Sequence, residues 1–157
     1  MLAISDDEGI YLLEFVDRLG LERKIEKLCI KKKAIIVPGL SGPIDSIKIE
    51  LDLYFSGKLK KFKSPVHVIG SFFQKSVWHE LTNIPYGEIK SYLQQALAVG
   101  NPKAVRAVAN ANGANQLAIV IPCHRIIKSS GELGGYGGGL KKKKWLIEHE
   151  KTIKECN

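Results

Sequence analysis

Residues 117–127 read Leu-Ala-Ile-Val-Ile-Pro-Cys-His-Arg-Ile-Ile. Five apolar residues without alternation predict a buried strand over 117–121. Pro122 has no N–H to give to a ladder, so that strand ends or bends there. The first side chain past the break is the thiol of Cys123, flanked by the imidazole of His124 and the guanidinium of Arg125. A free thiol titrates at about 8.5, and a neighbouring base or cation raises its thiolate share. A thiolate at the mouth of an apolar pocket is poorly solvated and therefore a strong nucleophile. The competing reading makes Cys123 a small core residue with His124 and Arg125 turned to solvent. The proline break and the adjacent charged pair favour chemistry.

A chain of 157 residues has room for one or two small domains with a real core. No apolar stretch approaches the ~20 residues that span a bilayer. The N-terminus, Met1 to Glu8, is acidic where a signal peptide would be basic, so a cytosolic protein is expected. Three widely spaced cysteines, Cys29, Cys123 and Cys156, without a C-x-x-C, argue against a disulfide scaffold or a zinc ribbon. Cys29 and Cys156 are read as incidental. The net charge of +8 is uneven. Residues 85–157 carry 11 Lys/Arg against 5 Asp/Glu, and residues 1–84 carry 13 against 11. A basic C-terminal half suggests a polyanionic partner, although a lysine-rich soluble surface has the same signature.

The first 66 residues read as a small α/β unit without a catalytic constellation. Residues 9–18 and Ala34 to Val37 are strand candidates, and 21–29 form a short helix with Leu21, Ile25 and Leu28 on one face. Ile47, Ile49, Leu51, Leu53 and Phe55 suggest a half-buried strand or a short amphipathic segment. This unit reads as a support.

Further on, residues 71–83 predict a helix with Ser71 as N-cap, a stripe of Phe73, Val77 and Leu81, and Trp78 in the core. Ser91 caps a helix over Tyr92 to Val99, which Gly100 ends. Asn101-Pro102 opens a second helix, with Asn as N-cap, that runs to about Asn112 and is closed by Gly113. Two short helices joined by a Gly-Asn turn have the form of a helix-turn-helix or of an ordinary αα-hairpin. The second carries Ala104, Ala107, Ala109 and Ala111, which makes it slim enough to approach a groove closely. Lys128 to Gly139 holds six glycines in twelve residues. It reads as a flexible loop whose backbone approaches a ligand, placed where a wing would follow the helices. Leu140 to Glu155 is a final basic helix.

The run Pro122-Cys123-His124-Arg125 between isoleucine-rich flanks resembles the active-site motif of the O6-alkylguanine-DNA alkyltransferases. The resemblance covers about residues 68–150 without a gap. It implies a two-domain α/β (α+β) protein: a ribonuclease H-like supporting domain over 1–66 and a helical, winged helix-turn-helix domain over 67–157. It implies that Cys123 accepts the alkyl group, that His124 takes the thiol proton through a water, and that Glu150 orients the imidazole. Asn115 would knit the helix-turn-helix to the active-site loop.

On the DNA side the resemblance implies that Arg106 enters the stack in place of the extruded nucleotide and that Tyr92 pushes on the target's 3′ phosphate. Ser91, Ala104 and Arg125 belong with them. Tyr136, Gly137, Ile126 and Tyr92 would line the guanine pocket. Family members often carry Ser after this Tyr and Asn before it. Here Gly137 and Gly135 stand there, which puts rate and tolerance of bulky alkyl groups in question.

The implied activity is single-turnover transfer from O6-alkylguanine, and from O4-alkylthymine, in the minor groove of double-stranded DNA. It needs no metal and no organic cofactor, and a monomer suffices. A winged-helix protein that binds lesions without transfer, or a Cys-His hydrolase, are the other readings. Cys123 opposes the first, and one-shot kinetics would exclude the second.

Overall fold

The computed structural model describes residues 1–155 and mixes helices with short strands. Cys156 lies outside the described residues. The chain opens with an antiparallel hairpin, β1 (Leu2–Ser5) and β2 (Ile10–Glu14), followed by α1 (Leu21–Lys32) and α2 (Gly42–Phe55). After α3 (Phe72–Thr82) come β3 (Lys90–Ser91), α4 (Tyr92–Ala98), a 3-10 turn over Pro102–Ala104 and α5 (Val105–Ala114). A second 3-10 turn, Cys123–Arg125, leads into β4 (Ile126–Ile127), which pairs in parallel with β3. The basic helix α6 (Leu140–Glu155) ends the described chain. No described helix is long and apolar enough to cross a membrane.

Local signals set most helix starts. Ser71 and Gln74 form a reciprocal capping box at α3, and Ser91 and Gln94 do the same at α4. Pro102 begins the turn before α5, but the Asn101 side chain makes no capping bond. Trp78 is in the core, and its indole N–H donates to the Ala111 carbonyl at 2.8 Å. That bond joins α3 to α5. Ile10 and Leu13 of β2 and Ile47 of α2 share one core with Val77, Leu81, Val108 and Ile126. The N-terminal segment is therefore packed into the body that carries Cys123.

Several sequence expectations are corrected. Residues 44–55 lie in a helix, not a strand. Ser41 caps it by accepting from the Ile44 N–H, and Pro43 sits at its start. Ile47, Leu51 and Tyr54 follow helical spacing inward, while Ile49 and Leu53 face out. Residues 34–37 form no strand. No strand pairs with them, the Ala34 N–H turns back to the Cys29 carbonyl, and Ile35 is 87% exposed.

Residues 117–121 are buried as expected but are not a strand. Only Leu117 bridges to β2, at Leu13. The chain then folds through tight turns, Val120 N–H to Ala118 O and Ile121 N–H to Leu117 O. Ile119 sits at φ +72°, an uncommon and costly conformation for a β-branched residue. Gly113 lies inside α5 and does not close it. The carbonyl of Gly113 accepts from Arg18 Nη2 at 2.8 Å, so a distant side chain satisfies the helix end that a glycine turn would otherwise serve.

Candidate active site

Cys123 follows Pro122 at the first position of a 3-10 turn and is half-buried. The 3-10 turn places three adjacent side chains in different directions. His124 and Arg125 are buried, against the reading that turned them to solvent. Asn115, the residue after α5, is also buried. Its Nδ2 donates to the Ile121 carbonyl at 2.9 Å and to Cys123 Sγ at 3.2 Å, and its Oδ1 accepts from the Leu117 N–H at 3.0 Å. One amide thus holds both ends of the turn-rich segment and touches the sulfur.

Glu150, on α6, is 1% exposed and collects five hydrogen bonds. His124 Nε2 meets Oε1 at 2.8 Å. Arg125 Nε donates to Oε2 at 2.8 Å and Nη2 to Oε1 at 3.0 Å, a bidentate pair. The Tyr54 hydroxyl and the Gly87 N–H complete the set. Burial alone would raise this carboxyl, but the hydrogen bonds from His124 and Arg125, with the charge of Arg125, hold it down at about 2.

Burial pushes His124 below its ordinary value, against the pull of Glu150. Arg125 already neutralises the carboxylate, so the imidazole rests neutral. Ionised Glu150 can only accept, which makes Nε2 the protonated nitrogen. Nδ1 is left buried with no partner, a lone pair available for a proton. Burial raises the Cys123 thiol, while the Asn115 hydrogen bond favours its thiolate.

The Gly-rich loop 128–139 closes over this centre. Lys143 is fully buried, and its ammonium donates to the carbonyls of Ile126 and Leu133, both at 2.5 Å, and of Gly135 at 3.2 Å. Desolvation lowers this group to about 8. The Tyr92 hydroxyl meets the Gly135 carbonyl at 3.4 Å. Tyr136 has a buried hydroxyl without a partner, and Phe15 packs edge-on to its ring at 6.4 Å.

The structure brings together Cys123, His124, Glu150 and Asn115, with Tyr92 and Tyr136 near the sulfur, while Gly137 lies against Arg18. Arg106 is exposed on α5, Ala104 sits partly buried in the turn before it, and Ser91 caps α4. Two expectations are corrected. Arg125 does not belong to a DNA surface, because its Nε and Nη2 bind Glu150 and its Nη1 binds the Ile84 carbonyl at 2.6 Å. Ile126 presents no side chain to a pocket: it is wholly buried in the core, and its carbonyl is taken by Lys143.

Sequence reasoning missed Tyr54, Lys143 and the cluster Glu14, Arg18 and Lys24. Only Lys143 carried a signal, since 143, 146 and 150 share the buried face of α6. A cavity of about 710 Å³ lined by Ile119 to Pro122 does not include Cys123. Asp6, Glu8 and His67 bring donor atoms within 4.8 Å of one another near the surface, but Asp6 already accepts from His67, Tyr11 and two backbone N–H groups.

Comparison with known proteins shows what this arrangement is similar to. Residues 72–152 match the family model described as 6-O-methylguanine DNA methyltransferase, DNA binding domain. A methylated-DNA–protein-cysteine methyltransferase of Mycobacterium tuberculosis is 47% identical over 116 residues, covering 73% of this chain and 68% of that protein. One from Methanosarcina barkeri is 49% identical over 103 residues, 66% of this chain and 65% of its own length. The crystal structure of Mycobacterium tuberculosis OGT in complex with DNA superposes with a TM-score of 0.81 at 35% identity, covering 96% of this chain and 86% of that one. The O6-methylguanine-DNA methyltransferase from Pyrococcus kodakaraensis gives 0.71 at 27% identity, over 94% and 88%.

Proposed function

The chain belongs to the 6-O-methylguanine DNA methyltransferase family, and from that premise we propose how its own residues move an alkyl group from DNA to protein. It is a DNA repair protein, a methylated-DNA–protein-cysteine S-methyltransferase that acts on double-stranded DNA. Cys123 is the acceptor. The thiol proton passes, through a water, to Nδ1 of His124, and the imidazolium forms against Glu150. The thiolate then displaces guanine in line: the S–C bond forms, the C–O6 bond breaks, and the electron pair leaves on O6 as a guanine anion, which takes up a proton from solvent at N1. The product is a thioether that water does not hydrolyse, so each molecule reacts once.

The observation that carries this reading is the buried, partnerless Nδ1 of a neutral His124 whose other nitrogen is held by an ionised Glu150, beside Cys123. A base needs that combination of free lone pair and fixed orientation. Asn115 positions the sulfur. Guanine O6 is stacked inside a duplex, so the nucleotide must be flipped out at a cost of about a few kcal/mol. Exposed Arg106 on α5 is the wedge that fills the gap, with Ser91 and Ala104 flanking the minor groove and Tyr92 pressing on the backbone. Tyr92, Tyr136 and Gly137 line the base pocket, and O4-alkylthymine is a second substrate.

We assign 1–66 as an N-terminal α/β domain of ribonuclease H-like type and 67–157 as the winged helix-turn-helix domain, in a cytoplasmic monomer. The pair α4 and α5, the β3–β4 ladder and the glycine loop support the second assignment. A lesion-binding protein without transfer would have no use for the hydrogen bond from Asn115 to the sulfur.

The test is incubation with duplex DNA carrying radiolabelled O6-methylguanine, followed by peptide mass analysis. One methyl per protein on Cys123 is expected, after which reaction stops. A Cys123→Ala protein should bind the duplex and take no label. Repeated turnover, or label elsewhere, overturns the reading.

A further inference from the structure

A charged cluster from the N-terminal segment lies against the site. Glu14, the last residue of β2, is fully buried. Its Oε1 accepts from Arg18 Nη1 and from Lys24 Nζ at 2.8 Å, and its Oε2 has no partner. Both cations also reach the end of α5. Arg18 donates to the Gly113 carbonyl at 2.8 Å, and Lys24 to the Asn115 carbonyl at 2.5 Å. The side chain of that same Asn115 donates to Cys123 Sγ.

Arg18 makes a second close approach. A Cβ placed on Gly137 would collide with its guanidinium, whereas Gly135 and Gly139 have open space beside them. At Gly138 a Cβ would stand 2.6 Å from the Phe15 ring. Segment 14–18 is thus laid directly along segment 136–138, and the absent side chain at 137 makes room for Arg18.

The charge balance gives this contact a consequence. A buried carboxylate near a thiol opposes its ionisation. Glu14 acts on Cys123 in that sense, while Arg18 and Lys143 favour the thiolate. Glu14 with Arg18 and Lys24 sums formally to one positive charge, and Arg18 is the cation of this cluster that works against the carboxylate at the sulfur. Tyr92 of α4, Tyr136 of the loop, Lys143 of α6 and His124 are the other ionisable groups around the sulfur.

We propose that Arg18 is a positioning residue of the alkyl-transfer site: seated in the space left at Gly137 and tied to Glu14 and the Gly113 carbonyl, it presents the positive charge against which the Cys123 thiolate forms. It neither gains nor loses a proton; the thiol proton goes to His124. The proposal rests on Cys123 being the alkyl acceptor.

The test uses the full chain and two readouts, single-turnover methyl transfer from duplex DNA and carbamidomethylation of Cys123 by iodoacetamide across pH, followed by peptide mass. Arg18→Ala should move the midpoint of Cys123 modification to higher pH and slow transfer at neutral pH about tenfold. Arg18→Lys should restore most of the midpoint, which a purely structural role would not require. Gly137→Ala, which displaces the guanidinium, should shift the profile in the same direction. In the double variant the losses should not multiply, because both changes remove one interaction. A wild-type midpoint in Arg18→Ala, or independent losses in the double variant, would overturn the proposal. Were the wild-type protein to take no methyl, the alkyl-acceptor reading would fail, while the iodoacetamide profile would still decide the role of Arg18.

Discussion

The hydroxyl of Tyr54 on α2 donates a 2.8 Å hydrogen bond to Oε1 of Glu150 on α6, 96 residues away. The same oxygen orients His124. Burial, and then the charge of Glu150, raise the phenol far above its ordinary value, so it donates at every accessible pH. The N-terminal segment therefore reaches the base of the catalytic centre, beyond a supporting role. Tyr54→Phe removes one donor to a charged acceptor and should cost about 1.5–3 kcal/mol in urea unfolding. It should also slow methyl transfer several-fold while leaving DNA affinity unchanged. Unchanged stability would show that the bond contributes nothing net.

Arg125 and Arg106 should behave oppositely. Arg125→Ala strips Glu150 of its bidentate partner and should destabilise the protein by about 3–5 kcal/mol. The slope of its DNA binding against salt should stay that of the wild type, because no phosphate contact is lost. Arg106→Ala touches only an exposed side chain. It should leave the melting temperature unchanged and weaken duplex binding, measured by fluorescence anisotropy.

Acid should unfold this protein through two buried groups. His124 in the folded state sits below its ordinary 6.5. As pH falls through 6.5 the unfolded chain binds a proton that the folded chain refuses, so stability declines. Glu150 falls from 4.5 to about 2 on folding. Its contribution is complete above pH 4.5 and is lost between there and about 2, amounting to about 3 kcal/mol. Glu150→Gln should abolish the lower part of the acid transition in urea titrations at successive pH values, and wild-type slopes in that variant would refute the assignment.

Lys143 ties two loop carbonyls, of Leu133 and Gly135, to that of Ile126 in β4 from inside. Lys143→Met keeps the stem and deletes the donors, leaving buried acceptors unpaired at about 1–3 kcal/mol in all. Hydrogen exchange over 133–138 should accelerate. Transfer should weaken chiefly through substrate affinity, seen as a right-shifted dependence of rate on DNA concentration, with little change in the saturating rate.

What could be read from the linear chain was whatever depends on neighbours in sequence. Ser71 with Gln74 and Ser91 with Gln94 announce helix starts because a capping box closes within one turn. The Pro122-Cys123-His124-Arg125 run and Glu150 marked the site through their resemblance to a family motif. Strand assignments at 34–37 and 117–121 failed, as did the strand reading of 44–55 against that of an amphipathic segment, because a strand exists only if another strand is beside it, and apolar β-branched runs do not say whether one is. Gln116 and Ala118 found just the edge of β2 at Leu13, and the remaining backbone of that stretch turned on itself.

Tertiary structure alone decided which charges face inward. Arg125 looks like a surface cation in sequence, and Lys143 sits in a run of four lysines. The fold buries both, because Glu150, the Ile126 carbonyl and two loop carbonyls supply the partners that a buried cation requires. Arg18 at Gly137 and Tyr54 at Glu150 join residues more than ninety positions apart. Contacts of that separation follow from packing the elements together, and no local preference encodes them.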